Sequence, residues 1–131
     1  MEQSIKLLLA GDFAPTQQFQ GSFNEDLLNN LSLLSLHDYA VVNLEGPLTN
    51  NHQPQQKMGP VLSINPKWAS ILKASGFNVV SLANNHVLDM GEAGLQETLE
   101  HCHSAGLKVV GAGRNLREAS QPLILEKEGI K

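Results

Sequence analysis

Short apolar runs alternate with amphipathic segments along the chain. The runs at residues 5–10, 39–44, 77–83 and 107–111 show little polar alternation, which predicts strands buried on both faces of a sheet. A further apolar run at residues 123–125 predicts a fifth strand. Strands of this kind separated by helices indicate an α/β fold, a layered sandwich with a mostly parallel sheet flanked by helices and joined by right-handed crossovers.

Three amphipathic segments predict the helices between these strands. The first is capped by Asn24 and places four leucines on one face over residues 27–34. The second begins at Asn65-Pro66, which supplies an N-cap and an N1 proline, and ends at Gly76. The third ends at Gly106 and carries apolar residues at i, i+4 and i+7. Those residues are Leu95, Leu99 and Cys102.

Composition narrows the class of protein. The 131 residues suffice for one domain with its own core, built from Leu, Val, Ile and Ala because aromatic residues make up only 5%. A net charge of −4 without a basic run argues against nucleic acid as a partner. The N-terminal apolar run is too short for a signal peptide or a membrane span, so we expect no direct membrane insertion by these residues. The single cysteine, Cys102, is expected to be an inert core thiol.

Polar side chains follow each predicted strand. Asp12 comes after the first, Asn43 and Glu45 close the second, and Asn84-Asn85-His86 follow the third. Ligands in parallel sheets bind outside the carboxyl ends of the strands. The sequence therefore predicts that oxygen and nitrogen donors from several strands converge at one rim, where they would hold an ion or a polar ligand.

Each of these residues also has a purely structural interpretation. Asp12 would cap a helix or stabilise a turn, and Asp89 would cap the third helix. The asparagines would satisfy loop backbone groups, and His86 would pack as a neutral, hydrogen-bonded ring. Glu45 is harder to explain in this way, because Glu is a poor turn former and Gly46-Pro47 suffices for the turn.

Three stretches together resemble a known family. "GDFAP" follows the first strand, "NLEGPLT" the second, and "GFNVVSLANNHVLDMGEAGLQETLEHCHSAGLKVVGAGRNLREASQP" spans the third and fourth. They resemble the N-terminal part of the capsule synthesis protein CapA family, named for poly-γ-glutamate capsule production. That family is similar to the calcineurin-like metallophosphoesterases, which have a four-layer α/β sandwich and a site for two metal ions.

The resemblance implies roles for individual residues. Asp12, Glu45 and Asn85 would bind divalent metal ions such as Mn, Mg, Fe or Zn, and His86 would be the catalytic proton donor. Four further residues would orient these groups or contact a ligand. They are Asn43, Lys57, Asn84 and Asp89.

The chain also departs from the metallophosphoesterase pattern. Those enzymes usually carry Asp-x-His after the first strand, whereas this chain has Asp12-Phe13-Ala14. The family's sequences continue with further ligand-bearing loops, so residues 1–131 are expected to be the N-terminal part of the domain, with incomplete metal binding and little activity of its own. An exposed sheet edge would then favour a homo-oligomer.

Two functions follow from the resemblance. The first is capsule biosynthesis with metal-dependent hydrolysis of a phosphoester. The second is a non-catalytic assembly component that binds the anionic polymer at the same rim. Capsule production would associate the protein with the cell envelope, while the sequence by itself is equally compatible with the cytoplasm.

Overall fold

The computed structural model describes residues 4–15 and 36–131. Its sheet has four parallel strands in the order β1-β2-β3-β4. The strands are β1 (Leu7–Phe13), β2 (Tyr39–Leu44), β3 (Val79–Ser81) and β4 (Lys108–Val110). This arrangement confirms the predicted α/β fold with a parallel sheet.

Three helices lie in the described residues, and they are α1 (Lys67–Ala74), α2 (Gly91–Ser104) and α3 (Leu116–Ala119). Asn65 Oδ1 accepts a hydrogen bond from the Lys67 N–H at 3.0 Å, and Pro66 directly precedes α1, which supports the predicted helix start. Gly76 and Gly106 follow α1 and α2 with φ of 103° and 75°, a conformation that favours glycine and ends a helix. The helix predicted at residues 24–34 lies outside the described residues.

Strand β1 differs from its prediction in length and burial. It continues through Gly11 to Phe13, and its register against β2 shifts between Leu9 and Asp12. Leu9 is 77% exposed, so the prediction that this strand is buried on both faces is wrong for the described chain. In the described sheet β1 is an edge strand, which an apolar sequence pattern alone does not reveal.

The predicted fifth strand is absent, because residues 123–125 form no regular structure. The backbone there is not paired with any described strand, and the segment is fastened by side chains. Tyr39 Oη donates to the Glu126 carbonyl at 2.8 Å, and Lys127 Nζ donates to Asp38 Oδ1 at 2.7 Å. A turn that contains Gly129 follows, closed by a bridge between Lys127 and Ile130. A three-residue apolar run specifies no pairing partner.

Aliphatic side chains form the core between the sheet and helices α1 and α2. Leu44, Leu72 and Val80 are at most 2% exposed, and Trp68 meets Phe13 edge-on with ring centroids 5.4 Å apart. Cys102 is fully buried, and burial raises the pKa of its thiol to about 12. The predicted aliphatic core and the place of Cys102 within it are both confirmed. In the part of the chain that the structure describes, no helix has the length and apolar character needed to cross a membrane.

Core packing makes a direct prediction for stability. Leu72→Ala should lower the free energy of unfolding by about 2–5 kcal/mol, because it removes a buried side chain and leaves a cavity. Leu116→Ala serves as the matched control, since Leu116 is 83% exposed and should change stability by no more than about 0.5 kcal/mol. Urea denaturation measures both variants, and equal losses would contradict the described core.

The Cys102 thiol should be unreactive in the native protein. At pH 8 the raised pKa and complete burial leave almost no accessible thiolate, so iodoacetamide should label Cys102 only after addition of denaturant. Mass spectrometry of the intact protein measures the labelling. Rapid labelling under native conditions would contradict the burial of α2 against the core.

Candidate functional site

The parallel sheet brings three strand ends together. Asn43 Nδ2 donates to Asp12 Oδ1 at 2.7 Å, across the register that pairs Asp12 with Asn43. Asn84 Nδ2 donates to Asn43 Oδ1 at 3.1 Å and to the Leu44 carbonyl at 2.9 Å. Side-chain amides thus link the ends of β1, β2 and the loop after β3 into one rim.

The loop after β3 turns so that His86 is buried beneath this rim. The His86 N–H donates to Asn84 Oδ1 at 3.0 Å, and the Asp89 N–H donates to the His86 carbonyl at 3.0 Å. These two bonds close consecutive turns and leave His86 only 7% exposed. Asn84 therefore both fixes this loop and joins it to Asn43.

A hydrogen-bonded pair orients the imidazole. His86 Nδ1 lies 2.7 Å from Asp89 Oδ2, and Asp89 is 1% exposed. A carboxylate accepts hydrogen bonds, so Nδ1 carries the proton in this pair and Nε2 is directed to the other side of the ring. That side faces Glu45, whose Oε1 lies 3.9 Å from Nε2.

Asp89 also has partners in the loop before α1. Lys57 Nζ donates to Asp89 Oδ1, and the Leu62 N–H donates to Oδ2 at 2.7 Å. Burial acts to raise the pKa of Asp89, but the bonds from Lys57, Leu62 and His86 outweigh it and hold the pKa below the ordinary value of 3.8. Asp89 is thus an ionised carboxylate with a partner on each oxygen.

Other candidate residues lie outside this network. Asn85 is exposed, and it is its backbone carbonyl that lies 3.4 Å from Lys57 Nζ. Arg114, after β4, pairs with Glu118 at 2.9 Å. His103 is exposed on α2, and His101 is half-buried there.

Asp89 was expected either to cap the third helix or to orient the groups of the site. The cap interpretation is wrong, because no side chain caps α2, which begins after Met90. Asp89 instead bonds His86 three residues earlier, and the His-x-x-Asp spacing within one turn was the available signal. Its contacts with Lys57 and the Leu62 N–H cross 32 and 27 residues of sequence, and no local pattern predicts them.

The donors fit a divalent cation by type but not by number. The carboxylates of Asp12 and Glu45 and the amide oxygen of Asn85 are ligands that hard cations prefer. Within residues 4–15 and 36–131, however, no three His, Cys, Asp or Glu side chains cluster closely enough to hold an ion. Ala14 also occupies the place of the histidine that metallophosphoesterases carry there. The described residues alone would not complete a coordination shell.

The lowered pKa of Asp89 predicts how the protein responds to acid. The ionised carboxylate stabilises the fold at all pH values above its unfolded pKa, near 3.8, and this contribution is lost as the pH falls through the lower folded value. Asp89→Asn should cost about 3 kcal/mol at neutral pH, the lower end for a broken buried ion pair, because Lys57 keeps 25% of its side chain in water.

Urea denaturation between pH 7 and pH 3 measures this response. The difference in unfolding free energy between wild type and Asp89→Asn should shrink below about pH 4. The exposed Glu92→Gln variant should follow the wild-type profile throughout. A difference between wild type and Asp89→Asn that stays constant down to pH 3 would show that Asp89 is not held ionised.

Comparisons with known proteins identify the family of the chain. The family model described as bacterial capsule synthesis protein PGA_cap matches residues 6–131. The PGA biosynthesis protein CapA of Bacillus subtilis (strain 168) is 33% identical over 91 residues, which cover 69% of this chain and 24% of the relative. The capsule biosynthesis protein CapA of Bacillus anthracis is 31% identical over 97 residues, covering 72% of this chain and 24% of the relative.

A probable polyglutamine synthesis accessory protein of Mycobacterium tuberculosis (strain ATCC 25618 / H37Rv) is 32% identical over 88 residues, covering 67% of this chain and 23% of the relative. The chain therefore spans about a quarter of the length of the curated relatives it matches. The matched range and these identities confirm the resemblance drawn from the motifs. The chain belongs to the bacterial capsule synthesis protein PGA_cap family.

Proposed function

We propose that this protein acts in the synthesis of a bacterial capsule polymer of the polyglutamate type. The support is its family and the processes for which its relatives are named, which are PGA biosynthesis, capsule biosynthesis and polyglutamine synthesis. The rim of linked strand ends is the part of this chain that would act in the synthesis of this polymer.

We propose further that the rim is a hydrolytic site for a phosphoester and that His86 is its proton donor. The observation that carries this proposal is the bond from His86 Nδ1 to the buried Asp89, which turns Nε2 toward Glu45. An imidazole fixed in this way has one nitrogen committed to a carboxylate and the other available for proton transfer. His86 Nε2, once it has taken a proton from solvent, would give that proton to the leaving alkoxide oxygen as water attacks phosphorus and loses its own proton to solvent.

In this proposal a divalent cation would be held by Asp12, Glu45 and Asn85 together with ligands beyond the described residues. When bound, the cation would polarise the phosphoryl oxygens. Asn43 would hold Asp12 through the bond at 2.7 Å and so orient its carboxylate, and Asn84 would hold Asn43.

One observation favours a second function, binding of the polymer without catalysis. The described residues supply only two carboxylates at the rim and no three-residue cluster of metal ligands. A rim of this composition repels a polymer of glutamate unless a cation lies between them. In that case the protein would capture the chain by cation bridging and break no bond.

Turnover of an aryl phosphodiester distinguishes the two functions. We expect the gene product that carries this sequence to release p-nitrophenol from bis(p-nitrophenyl) phosphate in Mn²⁺ and not in EDTA. His86→Gln should lower kcat by about 10²–10⁴-fold, because it removes the proton donor. His103→Gln, which replaces an exposed histidine of α2, should retain the wild-type rate.

Three other results of these assays would contradict the proposed hydrolase activity of the rim. Turnover that is equal in wild type and His86→Gln would remove His86 from the mechanism. No turnover, combined with EDTA-sensitive binding of fluorescent poly-γ-glutamate that Glu45→Gln weakens, would favour the polymer-binding function. Neither turnover nor binding would contradict both.

A further inference from the structure

The loop between β2 and α1 contains a segment, residues 54–62, whose hydrogen bonds to the rest of the described chain go to the His86 loop. The Gln55 N–H donates to the Asp89 carbonyl at 2.8 Å, and the Leu62 N–H donates to Asp89 Oδ2 at 2.7 Å. The contacts of Lys57 Nζ are to Asp89 Oδ1, the Asn85 carbonyl and the His86 ring. Residues 54–61 are all exposed, so packing does little to hold the segment.

Asp89 is the point where this segment and the imidazole meet. Oδ2 accepts from both the Leu62 N–H and His86 Nδ1, each at 2.7 Å, while Oδ1 accepts from Lys57. The carboxylate plane is therefore defined by donors from the 54–62 segment on both oxygens. Its orientation determines the direction of the His86 Nδ1 bond, and hence where Nε2 points.

Lys57 bonds the carboxylate rather than the ring. Its Nζ lies 3.3 Å from His86 Nδ1, but an ammonium group has no lone pair to accept the Nδ1 proton. Lys57 Nζ donates hydrogen bonds to Asp89 Oδ1 and to the Asn85 carbonyl, and His86 Nδ1 donates to Asp89 Oδ2. Without Lys57, the buried carboxylate keeps only its bonds on Oδ2 and loses its neutralising charge, which leaves it free to rotate.

We propose that Lys57 is a positioning residue for His86 and acts through Asp89. Seating of the 54–62 segment would hold the Asp89 carboxylate in the plane that gives His86 a single tautomer with Nε2 toward Glu45. Release of the segment would free the ring. This inference rests on the proposed function only for the catalytic role of His86. The orientation of the His86 ring can be tested without measuring catalysis.

Long-range ¹H–¹⁵N spectra of the histidine side chains test this proposal. In the ¹⁵N-labelled chain at one fixed pH, the His86 ring, assigned by its loss in His86→Gln, should show a protonated Nδ1 and an unprotonated Nε2. Lys57→Met should move the two nitrogen shifts toward each other, because the tautomers then interconvert. Lys57→Arg should restore the separation, since a guanidinium also bonds a carboxylate.

Amide hydrogen exchange on the same samples reports the seating of the segment. The Leu62 and Gln55 amides should exchange roughly tenfold faster in Lys57→Met, as expected on loss of a hydrogen bond between charged groups. Lys67→Met is the matched control, because Lys67 is an exposed lysine on α1, and it should change neither exchange nor ring shifts. Unchanged β2 and β3 amide shifts establish that Lys57→Met is folded.

The two measurements distinguish a positioning role of Lys57 from a purely structural one. Faster exchange together with merging ring shifts supports the proposal. Ring shifts in Lys57→Met that superimpose on wild type would overturn it, whether or not exchange changes, because Lys57 would then fasten the segment without positioning His86. If Lys57→Met changes the His86 ring shifts but the protein hydrolyses no phosphoester, the positioning role of Lys57 is supported and only the proposed hydrolase activity is contradicted.

Discussion

The site depends on one constraint, the need of a buried carboxylate for partners. Asp89 is 1% exposed, and a carboxylate removed from water is costly unless its charge is neutralised and its oxygens accept hydrogen bonds. Lys57 provides the charge, and the Leu62 N–H and His86 Nδ1 provide further donors. Because these partners come from two separate loops, satisfying Asp89 fixes the position of one loop against the other.

The parallel sheet supplies the second half of the arrangement. Its strands all end at the same edge, so Asp12, Asn43 and Glu45 lie beside the loop that carries His86. Neutral amides occupy the positions between the acidic groups. Asn43 donates to Asp12 and accepts from Asn84, which allows two strands and a loop to approach without burying a second charge. At the rim, Asp12 is thereby held in place by an amide, a group that does not titrate.

The sequence predicts the described sheet and its rim well, because both depend on local patterns. The extent of β2, the ends of α1 and α2 at Gly76 and Gly106, and the polar residues after each strand follow from hydrophobic periodicity and from glycine conformation. The prediction of a fifth strand is wrong, since the apolar character of residues 123–125 does not determine which strand they would pair with. The long-range partners of Asp89 could not be predicted either, since the local sequence is equally compatible with a helix cap and with a buried ion pair to Lys57.

A double-mutant cycle between Lys57 and Asp89 tests the central claim most directly. Unfolding free energies of wild type, Lys57→Met, Asp89→Asn and the double variant at pH 7 give the interaction energy of the pair. The described network predicts a coupling of at least about 1 kcal/mol, because each single variant leaves the other partner without its bond. Effects that add to within about 0.3 kcal/mol would show that the two loops are not joined through this carboxylate.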